Sequence, residues 1–480
     1  MATQSLNDFV LFLEERGELQ RIRQTVDSVL EITEIADRVV KQNGPALLFE
    51  NVVGSSFPVL INAYGSEKRM AWALGVEKLE EVAEEIATLI KTQPPQNLID
   101  KIKMLPKLAK VAAVMPKKVS GGPCQEVMMS TPDLSKLPIL QCWPKDAGRF
   151  ITFPMVITSD PDTKIRNVGI YRMQVLDNQS TAMHWQMHKV GRRHFERCKE
   201  LRQKMPVAVA IGGDPAHTWA ACAPLPDGVD EFMLSGFVRK KTVELVQCKT
   251  NELFVPADAD FILEGFVDPQ ENFVTEGPFG DHTGYYTPQE LFPRFHVTAI
   301  THRKNPIYFT TIVGRPPMED AWMGKAVERI FMPLLQMTFP EITDMNLPAA
   351  ACFHNLAVIA IKKQYPGHAK KIMHSLWGMG QMMTNKALII VDHTVDVQNL
   401  YEVVWRVTNN IDARRDCTFV EGPIDHLDHA SPRQFVGSKI GIDATRKWKE
   451  EEYFRTWPED TVMDETTKKK IDALWKELGF

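Results

Sequence analysis

Between about residues 124 and 315 the chain carries short extended runs set close together, including FPMVITSD, NVGIYRMQVLD, VAVAIGG, TVELVQC, ADFILEGFV and FHVTAITH, with tight-turn residues between them. Runs this short and this closely spaced leave little room for helices, and a sheet of many short strands closes on itself to hide its edges. The spacing therefore predicts a barrel-like β domain in the middle of the chain. Pro116 and the stretch Ser120-Gly-Gly-Pro123 place a basic, Gly/Pro-marked connector in front of it. Upstream, residues 5–19 have apolar side chains at helical spacing. Ser28-Val-Leu-Glu31 reads as a capping box opening a helix to Val40. ALLFENV and VLINAYG fit buried strands, and EKLEEVAEEIATLIK is an amphipathic helix. After Pro316 the rhythm becomes helix (318–338), strand LAVIAIKK, helix HAKKIMHSLWGMGQMM, strand KALIIVD, helix NLYEVVWRVTNNI, the alternation of a βαβ layer. The prediction is an α/β plus β protein with an N-terminal α/β unit (1–117), a central β domain (118–316) and a C-terminal α/β domain (317–480). Residues 465–480 form a charged helix with Ile471, Leu474, Trp475 and Leu478 on one side, a stripe expected to dock onto its own domain or another subunit.

Charge and cysteine usage narrow the function. Fifty-six Lys and Arg against 61 Asp and Glu give a net charge of −5 without a long basic tract, which argues against nucleic-acid binding. The 7 cysteines are odd in number and form no Cys-x-x-Cys pair, which argues against a disulfide framework or thiolate zinc site. No stretch approaches the ~20 apolar residues of a membrane span. A basic region followed by an apolar leader is also lacking, and the chain is read as cytoplasmic.

Polar chemistry is densest in the central domain. In Asn167-Val-Gly-Ile-Tyr-Arg172 a continuous strand would place Asn167, Gly169 and Tyr171 on one face and Arg172 on the other. A bulge or strand end brings both faces to one ligand; otherwise these are polar residues meeting solvent. His184-Trp-Gln-Met-His188-Lys189 has a helical metal spacing, but on a strand the two imidazoles stand about 13 Å apart and cannot share an ion. Glu231 opens an apolar helix-like stretch, where an acid complements the helix dipole. The sharpest signal is Glu276-Gly-Pro-Phe-Gly-Asp281-His-Thr-Gly-Tyr-Tyr. Its glycines and proline fix a compact turn carrying two carboxylates and a histidine, without the register of a calcium loop. Two carboxylates near one arginine are expected to titrate apart, the better-paired one staying ionised and the other becoming a protonated general acid.

In order and spacing, Asn-x-Gly-x-Tyr-Arg, the downstream His, the isolated Glu, the Glu276–Tyr286 turn and Ile361-Lys-Lys-Gln-Tyr-Pro-Gly-His-Ala369 resemble the UbiD-type prenylated-FMN-dependent decarboxylases. The resemblance continues through Ala430-Ser-Pro432 and Gly437-Ser-Lys-Ile-Gly-Ile-Asp-Ala-Thr445-Arg-Lys-Trp448, so it spans nearly the whole chain. It implies a flavin-reductase-like split β-barrel in the middle, a C-terminal oligomerisation domain, and prenylated FMN with a manganese-type (or magnesium) ion and a potassium ion at its phosphate. By the same match Asn167, His188 and Glu231 are the metal ligands. Ile170, Tyr171, Arg172, His184, Trp185, Gln186, Lys189 and Val190 hold the cofactor, and Arg172, Glu276 and Asp281 form the catalytic triad. Asp281 stands where some acrylic-acid decarboxylases of the family carry Glu. The implied reaction replaces an aromatic carboxylate by a proton.

The branch nearest in motif wording acts on 4-hydroxy-3-polyprenylbenzoate, as in ubiquinone biosynthesis; a small phenolic or polycyclic aromatic acid is the alternative substrate. Residues 101–118 mix lysines with apolar side chains, fitting either a lipid surface at the inner face of the membrane or a helix packed inward. The implied partners are further copies of the chain, as a dimer or hexamer, and a flavin prenyltransferase as cofactor supplier. From other classes, a metal-dependent hydrolase using His184, His188 and Glu231, or a non-catalytic flavin-binding oligomer, fits the same residues.

Overall fold

The computed structural model of the chain describes residues 5–90, 113–187 and 189–479. Ser5 caps the helix Leu6–Glu15, its hydroxyl accepting from the Asp8 amide at 3.2 Å. That helix stops short of the expected Leu19, because Gly17 takes a positive φ of 70° and turns the chain into the strand Leu19–Ile22. The helix Glu31–Lys41 forms as expected, but its cap is not the Ser28 box. Leu30 is the capping residue, with no side-chain bond, and the Glu31 carboxylate reaches the Asp27 amide at 2.7 Å.

The strands Leu19–Ile22, Ala46–Phe49 and Val59–Ile61 make a sheet whose fourth member, Tyr308–Phe309, arrives from the far end of the central region. One continuous apolar core runs from Leu6 through the central sheet to Ile330.

The central sheet has nine strands. Eight lie along one path, in the order Phe150–Ile151, Met173–Asp177, Ser180–Met183, Arg294–His302, Phe261–Val267, Met205–Ile211, Met155–Ser159 and Arg166–Ile170. The ninth strand, Val127–Met128, pairs with Arg294–His302 off this path. Arg166–Ile170 ends the order and Met173–Asp177 stands next to the opposite end, yet only Tyr171 and Arg172 separate them in sequence. Three residue steps span at most about 11 Å. The sheet must therefore curl until its two ends nearly meet, giving a half-barrel with Tyr171 and Arg172 in the seam.

In the C-terminal region Leu356–Ile361, Ala387–Asp392 and Val436–Asp443 are parallel neighbours, flanked by the antiparallel edge strands Ile342–Asn346 and Cys417–Pro423. Alternation of apolar runs anticipates Leu356–Ile361 and Ala387–Asp392 but neither edge strand. The expected helix from His368 ends at Trp377, followed by Gly378 and a 3-10 turn over Gly380–Thr384. The terminal helix Glu465–Leu474 buries none of its residues fully within the chain, and Trp475 is 50% exposed. Of the basic-apolar segment, residues 101–112 lie outside the described residues. Its end, Lys117–Val119, is a strand paired with Glu244–Gln247 rather than a helix. Among the described residues no helix is long and apolar enough to cross a membrane.

Candidate active site

The seam places Arg172 against the Glu276 turn. Glu276 ends the strand Val274–Glu276 and is fully buried; Asp281 follows the strand Phe279–Gly280 and is 5% exposed. Arg172 donates through Nε to Glu276 Oε1 at 2.8 Å and through Nη2 to Glu276 Oε2 and Thr287 Oγ1, each at 3.2 Å. Its Nη1 donates to Asp281 Oδ2. The guanidinium thus joins two carboxylates that are close in sequence to one another but more than a hundred residues from it.

The turn is fixed by its own backbone. The Gly277 amide donates to Gln174 Oε1 at 2.8 Å and the Gly280 amide to Asp146 Oδ1 at 2.7 Å. Gly277 has a φ of 87°, and a Cβ there would lie 2.8 Å from the Pro288 carbonyl oxygen. The Phe279 ring lies 4.6 Å from Arg172 Cζ, covering one face of the cation.

Electrostatics correct one expectation. The two carboxylates do not titrate apart: both are held down. Burial alone would raise Glu276, but the His184 hydrogen bond and the Arg172 charge outweigh it and bring it to about 2. Asp281, also buried, is driven well below the carboxylate range by Arg172 and then by His282. His184 is pushed down by burial and by Arg172, which favours its neutral ring.

Of the residues singled out for a cofactor, His184 lies against this cluster. The His184 amide donates to the Arg172 carbonyl at 3.3 Å, and its Nδ1 is 3.2 Å from Glu276 Oε2. Ile170 closes its strand and Tyr171 is nearly buried. Trp185 is 1% exposed, and Gly191 lies so close that a Cβ there would sit 2.8 Å from Trp185 Nε1. His184 Nε2 and Trp185 Nε1 are buried without a hydrogen-bond partner among the described residues, as expected for groups that meet a ligand. The Gln186 carbonyl accepts from the Lys189 amide at 3.1 Å, and Lys189 caps the helix Val190–Glu200 without a side-chain bond. With Val190 opening that helix and no acid in its first turn, its N-terminal end suits an anionic group.

Asn167 and Glu231 are also brought together. Glu231 opens the helix Glu231–Arg239 and accepts from the Val168 amide, next to Asn167, at 3.0 Å. Burial raises Glu231 to about 7, a carboxylate short of compensating charge that a cation would supply. An amide oxygen and a carboxylate suit a hard ion such as magnesium or manganese. His188 lies outside the described residues. Among the described residues no three His, Cys, Asp or Glu side chains converge on a metal position.

The structure adds neighbours that sequence reasoning did not assign. His282 Nδ1 is 2.9 Å from Asp281 Oδ1, and His282 Nε2 is 2.8 Å from His354 Nε2. Glu290, paired across the strands with Glu276, is 2.9 Å from His426 Nε2. His282 and Glu290 lie in or beside the Glu276 motif and were open to notice. His354 and His426 come from C-terminal loops that carry no motif.

Comparison with known proteins bears on the whole chain. Residues 10–88, 117–316 and 321–444 match the N-terminal, Rift-related and C-terminal domains described as 3-octaprenyl-4-hydroxybenzoate carboxy-lyase (UbiD). An uncharacterized protein of Archaeoglobus fulgidus is 51% identical over 480 residues, covering 100% of this chain and 99% of that protein. The vanillic acid decarboxylase of Sedimentibacter hydroxybenzoicus in closed form superposes with a TM-score of 0.86 at 26% identity, covering 100% of both chains. The UbiD-class enzyme HmfF of Pelotomaculum thermopropionicum in complex with FMN superposes with a TM-score of 0.80 at 30% identity, covering 95% of this chain and 97% of that one. An evolved dimeric form of HmfF has been solved in complex with prFMN.

Proposed function

From the premise that this chain belongs to the UbiD family of carboxy-lyases, we propose that it catalyses the reversible, non-oxidative decarboxylation of an aromatic carboxylic acid of the 4-hydroxy-3-polyprenylbenzoate kind, with prenylated FMN as cofactor. The observation that carries this reading is Arg172 bonded to both Glu276 and Asp281 in the buried seam. The cofactor, when bound, supplies the electron sink for the carbon bearing the carboxylate.

Arg172 orients the substrate carboxylate, Glu276 holds Arg172 in place, and Asp281 delivers the proton. At rest Asp281 is ionised against Arg172. An arriving carboxylate competes for that guanidinium and adds negative charge nearby. Both effects raise the Asp281 pKa, turning it into an acid when the substrate is in place.

His184, Trp185 and Gln186, with Ile170 and Tyr171, would hold the cofactor, and Lys189 and Val190 at the helix start would hold its phosphate, a reading supported by the unpartnered His184 Nε2 and Trp185 Nε1 and by the acid-free first turn. Asn167, His188 and Glu231 would hold a manganese or magnesium ion, whose charge would offset that of the cofactor phosphate, with potassium as a second ion there. The half-barrel is the flavin-reductase-like split barrel of a domain spanning 118–316, between an N-terminal unit and a C-terminal domain that joins subunits. A flavin prenyltransferase supplies the cofactor in the cytoplasm. Contact of residues 101–118 with a membrane surface would bring a polyprenyl substrate within reach.

A small phenolic acid is the second reading, favoured by the likeness to vanillic acid decarboxylase over the full chain. The test is carbon dioxide release from a panel of polyprenylated and simple hydroxybenzoates by enzyme co-expressed with a flavin prenyltransferase. Turnover confined to the prenylated acids supports the first reading, and turnover confined to small phenolic acids the second. Flavin-loaded enzyme that decarboxylates nothing contradicts both.

A further inference from the structure

Decarboxylation consumes one proton for each carboxylate lost, and Asp281, at 5% exposure, is poorly placed to collect it from water. His282 is better placed. Its side chain is 20% exposed against 7% for that of Asp281, and its Nδ1 lies 2.9 Å from Asp281 Oδ1. The ring is held from the C-terminal region. Phe353 stacks on it with centroids 5.3 Å apart, and His354 Nε2 lies 2.8 Å from His282 Nε2.

We propose that His282 reloads Asp281 with its proton, and that His354 is a positioning residue that fixes the His282 ring for this transfer. The inference rests on the function proposed above. In the transfer, the His282 Nδ1–H bond breaks as an O–H bond forms on Asp281. That O–H then breaks as a C–H bond forms on the carbon that has lost carbon dioxide, whose electron pair takes the proton, and water reprotonates His282 Nδ1, leaving the hydroxide that balances the carboxylate charge lost as carbon dioxide.

The surroundings suit a ring that carries the proton. Burial works against the charged form, but the bond to Asp281 and the charges of Asp281, Asp320 and Asp425 outweigh it and raise the His282 pKa. Burial and the His282 charge push His354 the other way, which favours donation from His282 to His354. Asp320 comes from the helix Asp320–Thr338, Asp425 from the chain after Cys417–Pro423, and His354 from the loop before Leu356–Ile361.

The test uses holoenzyme with matched flavin content and an aromatic acid that the wild type decarboxylates. His282→Asn keeps a polar side chain but cannot carry the proton, and is expected to lower kcat by roughly a hundredfold with KM unchanged. Added imidazole should restore part of the rate in His282→Ala. His354→Gln should shift the pH profile of kcat, and the His282 ring titration followed by NMR should move with it. An unchanged kcat and pH profile in both His282→Asn and His354→Gln, or a His282 ring that titrates identically with and without His354, overturns the proposal. A wild type that decarboxylates no aromatic acid overturns the functional reading first and this inference with it; the two failures are told apart by which protein is inactive.

Discussion

Glu276 accepts from Arg172 Nε at 2.8 Å across 104 residues of sequence, and neither side chain is open to solvent, at 0% and 11% exposure. A guanidinium and a carboxylate held this way are stable only as a pair, because each would be left charged and unsolvated without the other.

Removing the cation should therefore be costly. Arg172→Ala leaves Glu276 and Asp281 buried without the guanidinium between them, with only His184 and His282 as partners, and is expected to destabilise the fold by about 3–5 kcal/mol. Arg172→Lys keeps the charge but loses the fork and should cost less while still abolishing turnover. Denaturant midpoints together with carbon dioxide release check both.

The depressed carboxylates give a pH dependence of defined sign. Glu276 lies at about 2 in the fold against an ordinary value of 4.5. Its contribution is fully present above 4.5 and is lost as pH falls towards 2. Wild type should lose stability on acidification through that window, and Glu276→Gln should lose less. Denaturation curves at stepped pH measure the difference.

Gly280 tests the turn. A Cβ at this position would enter the Trp143 ring, so Gly280→Ala must displace either the ring or the turn. We expect a loss of about 1–3 kcal/mol, accompanied by reduced turnover because Asp281 is the next residue. Thermal melts and a steady-state assay report the two effects.

At the cofactor end, Lys189→Glu places an acid at a helix start that has none. Flavin affinity is expected to fall roughly tenfold, equivalent to ~1.4 kcal/mol, with far-UV circular dichroism unchanged. Flavin content after gel filtration is the measurement.

Much of this site could be read from the chain because Glu276 and Asp281 lie in one turn whose glycines and proline announce it. The position of Arg172 could not. NVGIYRMQVLD leaves open a continuous strand, a bulge or a strand end, and only the structure shows the break at Tyr171 and Arg172 that crosses the seam of a curled sheet. The edge strand Ile342–Asn346 escaped notice because it is short and half polar, and Cys417–Pro423 because it ends in Gly-Pro and buries little. His354 and His426 gave no signal since their partners lie 72 and 136 residues away. The divergence expected between the two carboxylates failed because each has a histidine partner besides Arg172, His184 for Glu276 and His282 for Asp281.

The most direct measurement is carbon dioxide release by Asp281→Asn holoenzyme beside wild type at equal flavin content. Asparagine keeps the shape and a hydrogen bond to Arg172 but cannot give up a proton to carbon. Turnover is expected to fall by roughly a hundredfold or more, with fold and cofactor loading intact. Turnover close to that of wild type would contradict the assignment of Asp281 as the acid and, with it, the catalytic reading of the Arg172 cluster.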